Sequence, residues 1–331
     1  MSKLYVLGGR QRRAGIKEPT AADEWCLYDA ALILEVDTLS GAARVCVQYQ
    51  SPEEARAGQR PSAHFHSGAR TGDILYTCTT TEVLTYRLPH FERIGYVSLP
   101  IFNDLHHVTP TRDGNLLLAN TGLDMVVKIS PSGAVIAEWS AIGEEPWARF
   151  SRSTDYRKVA TTKPHLSHPN FVFELDDDVW VTRFHQRDAA CMTNPGKSMP
   201  LASENPHDGL VNGDHVLFTA VNGKVITVNR KTLRVEKSFD LREIQDRNGE
   251  VLPAWCRGLL PVDQDRIWVG FTRIRQTIFK ENVRWVKSSL REGTLVKPTH
   301  IALFDMATKE CLKEIDLEPF GMHTVFGIFP A

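Results

Sequence analysis

His66, His107, His168, His207 and His323 recur along the chain, each at the head of a short apolar segment, and Arg257 heads a sixth segment of the same kind. Imidazole binds zinc, iron, copper and manganese well, and calcium or magnesium poorly, because those hard cations want oxygen donors. Five imidazoles drawn from remote segments, with no carboxylate among them, therefore predict a transition-metal site (Fe, Zn, Mn or Cu), with His66 serving as a ligand or as a catalytic general base. Neutral ligands leave the ion's full charge available to polarise a substrate or acidify bound water. The guanidinium of Arg257 cannot bind a cation, but it grips carboxylate, sulfate or phosphate through paired hydrogen bonds. Arg257 is thus expected to be both a catalytic and a substrate-binding residue for a small anionic molecule. The plain alternatives are histidines that line a wet channel without metal, and an Arg257 that pairs with Asp208.

Gathering these residues at one point needs repeated elements around one axis. The clearest unit runs Leu105-His106-His107-Val108-Thr109-Pro110, Asn115 to Gly122, Met125 to Ile129 and Ala134 to Trp139, which reads as four short strands. Asp113-Gly114 between the first two is a hairpin signal, and Ser130 to Gly133 is a turn. The order returns after His66, His168, His207 and Arg257, at about eight to eleven residues from ring residue to next strand, as a repeated supersecondary unit requires. The last unit is split. His323 to Phe329 reads as an inner strand with nothing after it, whereas Lys3 to Gly8, Ala30 to Val36 and Ala43 to Val47 read as outer strands with no inner strand before them. The expected fold is all-β: a six-bladed β-propeller over residues 1–331, its last blade closed by the C-terminal inner strand and N-terminal outer strands.

The segment Asp113 to Gly122, followed by Val126-Val127-Lys128-Ile129, resembles the blade signature of NHL, gluconolactonase-like and streptogramin-lyase-like six-bladed propellers. His106-His107-Val108-Thr109-Pro110 is also similar to a strand of arylsulfotransferases. These resemblances imply the fold more than the chemistry. The lyase and lactonase likeness implies elimination or hydrolysis, although gluconolactonase-like enzymes use carboxylate and asparagine ligands suited to calcium. An all-histidine iron site resembles that of carotenoid-cleaving oxygenases, which have seven blades. The arylsulfotransferase likeness implies a second class, metal-free group transfer with a ring histidine as nucleophile. A noncatalytic binding propeller is the third.

Strand alternation turns His106 and His107 to opposite sides, and His107 is chosen for the channel because it aligns with His66, His168 and His207 relative to the following strand. His64, His106 and His165 are expected in supporting roles. Asp208 is placed to orient a neighbouring histidine, Asn120, Arg183 and His185 end second strands and are candidate substrate contacts, and Asn103 and Asp104 read as the channel mouth.

Two stretches break the repeat. Residues 143–164 carry Arg152, Arg157, Lys158 and Lys163, and 273–298 place Phe279, Val283, Val286 and Leu290 at near-helical spacing, which predicts an inserted amphipathic helix. Both are expected at the channel mouth, their charge either attracting an acidic substrate or simply solvated. A formal charge of −1 lacks the footprint of nucleic-acid binding. No segment is long and apolar enough to span a bilayer, and six scattered cysteines without C-x-x-C spacing read as reduced thiols, so a cytoplasmic location is expected. No G-x-S-x-G elbow, P-loop or G-x-G-x-x-G motif offers other chemistry.

Overall fold

A computed structural model describes residues 2–12, 27–58, 63–201, 204–244, 255–273 and 297–331. The strands are short, and those in the inner part of each blade are sandwiched between two neighbouring sheets. Alternate side chains therefore enter two different cores, which explains why these segments read as continuous apolar runs. In β1 (Lys3–Gln11), Leu4 and Val6 enter one buried cluster while Tyr5 and Leu7 enter another.

The strands form six four-stranded antiparallel sheets. Blade 1 holds β1, β2 (Tyr28–Asp37) and β3 (Ala43–Tyr49). Blade 2 is β4 (Gly68–Thr71), β5 (Ile74–Cys78), β6 (Val83–Arg87) and β7 (Glu92–Val97). Blade 3 is β8 (Leu105–Pro110), β9 (Leu116–Asn120), β10 (Met125–Ile129) and β11 (Val135–Ser140). Blade 4 is β12 (Pro169–Leu175), β13 (Asp178–Arg183), β14 (Asp188–Cys191) and β15 (Ser198–Pro200). Blade 5 is β16 (Leu210–Asn212), β17 (His215–Ala220), β18 (Lys224–Asn229) and β19 (Val235–Asp240). Blade 6 is β20 (Trp255–Pro261), β21 (Arg266–Thr272), β22 (His300–Asp305) and β23 (Glu310–Asp316). The C-terminal strand β24 (Thr324–Pro330) pairs antiparallel with β1, so blade 1 runs β24-β1-β2-β3. A buried apolar cluster lies between each pair of neighbouring blades. The core is thus divided into wedges around the axis.

Contacts between β24 and β4, β4 and β8, β8 and β12, β12 and β16, and β20 and β24 identify the inner strands. Several of them carry register shifts. His106 falls between Leu105↔Asn120 and His107↔Ala119, and Phe326 between Gly327↔Leu7 and Val325↔Gly8. An extra residue of this kind is a β-bulge, which re-aims side chains out of strict alternation.

The stretch 143–164 contains one 3-10 turn, Tyr156–Lys158, and packs onto the core between blades 2 and 3 through Trp147, Phe150, Tyr156 and Val159. Its charges are committed to partners: Arg149 pairs with Asp124, Arg152 with Glu138 and Arg157 with Asp155. The amphipathic helix expected over 273–298 falls on residues 274–296, outside the described residues. Among the described residues the cysteines form no disulfide. Among the described residues no helix is long and apolar enough to cross a membrane.

Candidate metal centre

Local geometry brings the ring residues to one end of the channel, where the inner strands begin. His66 stands two residues before β4, His106 is the second residue of β8, His168 immediately precedes β12, and His207 lies shortly before β16. Ring centroids are 4.5 Å apart for His66 and His106, 4.8 Å for His106 and His168, and 6.1 Å for His106 and His207. His64 packs on His66 at 4.3 Å.

One ligand atom each from His66, Asp104 and His106 lies within 4.8 Å of the others. The sequence reading differs here in two residues. His106 faces the axis because it is the bulged residue of β8, and alternation, which favoured His107, fails where a residue is inserted. His107 instead stacks on Phe171 at 3.5 Å, donates from Nε2 to the Gly68 carbonyl at 3.0 Å and accepts the Val172 N–H on Nδ1 at 3.3 Å. It thereby ties β4, β8 and β12 together, with no nitrogen left for a metal, and burial pushes it down to about 3. It lines a cavity of about 820 Å³ at the opposite end of the channel. The second difference is a carboxylate in the cluster, Asp104, held just ahead of β8 at φ 50°.

Blade 1 supplies Phe326 rather than His323 to the axis, because the bulge in β24 turns the phenylalanine inward. Its ring lies 4.6 Å from His66, 6.0 Å from His207 and 4.8 Å from the Arg257 guanidinium. His323 Nδ1 accepts the backbone N–H of Gln11 at 3.2 Å, and His323 is not part of the ligand group.

Burial decides the electrostatics. His66 and His207 are each 2% exposed, and neither nitrogen of either ring has a hydrogen-bond partner. Burial first, then His64, His106 and Arg257, push His66 far below the ordinary imidazole range. Burial also brings His207 down to about 4 against the opposing pull of Asp208. The Asp208 carboxylate is anchored by the Thr219 hydroxyl and the Gly258 N–H, and its Oδ1 lies 3.5 Å from His207 Nδ1. Burial would raise the Asp104 carboxyl, but His106, His165 and Lys163 outweigh it and hold it below the usual range. Asp104 Oδ1 lies 3.4 Å from His106 Nε2.

An ionised carboxylate facing a ring nitrogen calls for a cation between them, either a proton or a metal ion bound by both. Beside this pair, the two bare nitrogens of His66, together with those of His207, are what a missing ligand leaves, since buried polar atoms are ordinarily satisfied. Two imidazoles and a carboxylate form a donor set that fits a divalent transition metal.

The ring is completed by His168 and Arg257. His168 adopts φ 55°, and with Asp104 it makes a second non-glycine residue held left-handed at the site, a conformation that costs of order 1 kcal/mol or more and persists only where its surroundings enforce it. The enforcement comes from Asp124, whose carboxylate accepts the N–H groups of Leu166, Ser167 and His168 at 2.8, 2.9 and 2.9 Å. Arg257 is half-buried between Trp255 at 5.0 Å and Phe326, its Nε has no partner, and no described carboxylate pairs with it. The Asp208 pairing is therefore not formed.

Of the expected substrate contacts, Asn120 and Arg183 are committed elsewhere. Asn120 accepts the Asn103 N–H and donates to the Ile101 carbonyl, and Arg183 makes a two-pronged pair with Asp188 and a bond to the Ala141 carbonyl. His185 is exposed, its ring 6.1 Å from His168, and remains at the mouth of the site.

No family model matches this chain, and no curated protein matches it. Among solved structures it is similar to a protein of unknown function from Bacteroides caccae, with 12% identity and a TM-score of 0.61 over 99% of this chain and 98% of that one. It is also similar to a chain of the nidogen/laminin complex, with 7% identity and a TM-score of 0.55 over 98% and 97%. A streptogramin B lyase matches at 13% identity and a TM-score of 0.49, over 98% and 91%. Likeness at these identities shows the six-bladed propeller and no specific family.

Proposed function

We propose that this propeller is a metal-dependent enzyme whose transition-metal centre is held by His66, Asp104 and His106 and which acts on a small anionic organic substrate. The observation that carries the reading is the pair of partnerless nitrogens on the deeply buried His66, beside an Asp104 carboxylate aimed at His106 Nε2. His207 and His168 would stand beside the ion, and Arg257, presented between two aromatic faces with no partner among the described carboxylates, is the anion clamp. His66 is retained as a ligand rather than a base, and His107 and His323 leave the ligand set. When bound, the ion would supply Lewis-acid polarisation for elimination or hydrolysis if zinc or manganese, and oxygen chemistry if iron or copper. The chain's own residues position the substrate: Arg257 fixes its anionic group, and Phe326 with the surrounding rings keeps water out. The absence of disulfides among the described cysteines suits a reducing compartment such as the cytoplasm.

Elemental analysis of protein purified without chelators tests the reading. We expect one transition metal per chain, lost in His66→Ala and Asp104→Ala and kept in His323→Gln. Metal-free protein that turns over its substrate would instead favour group transfer from a ring histidine, and metal retained without both His66 and Asp104 would overturn the assignment.

A further inference from the structure

A neutral imidazole carries one proton on two nitrogens, and its partners decide which nitrogen stays bare. Around His106 those partners allow one arrangement. Asn170 is fully buried, and its Nδ2 donates to the Pro206 carbonyl at 3.0 Å, so its Oδ1 faces His106 Nδ1 at 2.7 Å. Reversing the amide would set two oxygens against each other at Pro206. An amide oxygen only accepts, so His106 Nδ1 carries a proton and Nε2 is the nitrogen turned to Asp104.

A second chain of bonds acts on His168. The single hydroxyl hydrogen of Thr162 has two carbonyl oxygens to serve, that of Gly122 and, at 3.3 Å, Asn103 Oδ1, and neither can donate in return. With its hydrogen committed there, the Thr162 oxygen accepts from His165 Nε2 at 3.4 Å. His165 Nδ1 is then bare, and it lies 2.8 Å from His168 Nδ1, which must be the donor. His168 Nε2 is left without a proton.

We infer that Asn170 and the Thr162–His165 pair are positioning residues that hold His106 and His168 as Nδ1–H tautomers and keep Nε2 of each available to a cation. The inference rests on the proposed metal centre for the identity of that cation, whereas the tautomers belong to the protein itself. Outer partners of this kind orient a ligating ring and raise its basicity, and their loss typically weakens metal binding by roughly 10- to 100-fold.

Long-range 1H–15N correlation spectra of metal-free, 15N-histidine-labelled full-length protein distinguish protonated from bare ring nitrogens. Protonated Nδ1 is expected on His106 and His168, with the His106 Nε2 signal moving when Zn2+ is added. Asn170→Leu is expected to remove the His106 signature and weaken Zn2+ binding by roughly 10- to 100-fold. His165→Phe is expected to release His168 in the same way. An Nε2–H tautomer with bare Nδ1 on His106 or His168 in the unsubstituted protein overturns the inference, as does a His106 signature unchanged in Asn170→Leu. If the tautomers are as inferred but the unsubstituted protein takes up no Zn2+, Mn2+, Fe2+ or Cu2+, the positioning roles stand and the metal reading falls.

Discussion

Replacing Asp124 by asparagine tests whether one carboxylate holds the loop that carries His165 and His168. The side chain is 1% exposed and serves four donors: Oδ1 accepts Ser167 N and His168 N, and Oδ2 accepts Leu166 N and, at 2.7 Å, Arg149 Nη1. An amide has one oxygen, so in either orientation its NH2 group faces two donors. Two charge-assisted hydrogen bonds are lost, at about 1.5–3 kcal/mol each, giving roughly 3–6 kcal/mol in total. Removal of one partner of a buried ion pair costs a similar 3–5 kcal/mol or so. With about 2.1 cal/mol/K of unfolding entropy per residue, a chain of 331 residues loses stability at about 0.7 kcal/mol per degree, so Tm should fall by about 4–9 °C. Burial would raise the Asp124 carboxyl, but the Leu166, His168 and Ser167 N–H groups and Arg149 hold it below its ordinary value. A depressed carboxylate contributes fully above its unfolded pKa of about 3.9, and the contribution is lost as pH falls through the lower folded value. Urea unfolding of wild type and Asp124→Asn at pH 7 should therefore show the whole difference, which narrows in acid. Amide exchange at residues 165–168 should accelerate in the variant. A cost below about 1 kcal/mol, or full destabilisation with unchanged protection of that loop, would refute the role assigned to Asp124.

Two further outcomes are expected. Burial holds His107 at about 3 and His165 and His207 at about 4, so from pH 6.5 downward the unfolded chain binds protons that the folded chain refuses. Stability of the chelator-treated protein should fall with pH across that window at about 1.4 kcal/mol per unit for each histidine, and a flat ΔG between pH 6 and 4.5 by urea titration would contradict these burials. Gly8→Ala sets a Cβ 1.8 Å from the Thr324 carbonyl oxygen, inside the seam between β1 and β24. Thermal unfolding should show a loss above about 3 kcal/mol, with proteolysis freeing the C-terminal strand, and near-wild-type stability would mean that the seam tolerates separation.

The repeat was legible because its turns are local. Asp113-Gly114 and Ser130 to Gly133 bound strands that the structure draws at Leu105–Pro110, Leu116–Asn120, Met125–Ile129 and Val135–Ser140, close to the segments read from the pattern. The residues proposed as ligands are only partly legible, and the reasons are local departures from regular strand geometry. A period-two reading assigns faces by counting, and an inserted residue shifts the count, so His107 was chosen where the bulge puts His106. The sequence pairs the His323 strand with the N-terminal strands correctly, but the bulge that turns Phe326 inward leaves no trace in composition. Asp104 was read only as part of the channel mouth, because it precedes its strand in a left-handed conformation that no propensity marks. Asn170 and Asp124 act on histidines carried by other segments, and nothing adjacent in sequence signals them. These failures are not spread evenly. They gather at the channel end where strand regularity is interrupted, where two non-glycine residues hold positive φ and where buried imidazole nitrogens lack partners. Bulges and left-handed residues occur in other blades too, but among the described residues only here do they accompany a deeply buried imidazole with both nitrogens bare beside a buried carboxylate, an inconsistency of the kind that functional sites carry. That juxtaposition of His66 and Asp104 argues for chemistry at this end of the channel independently of any resemblance.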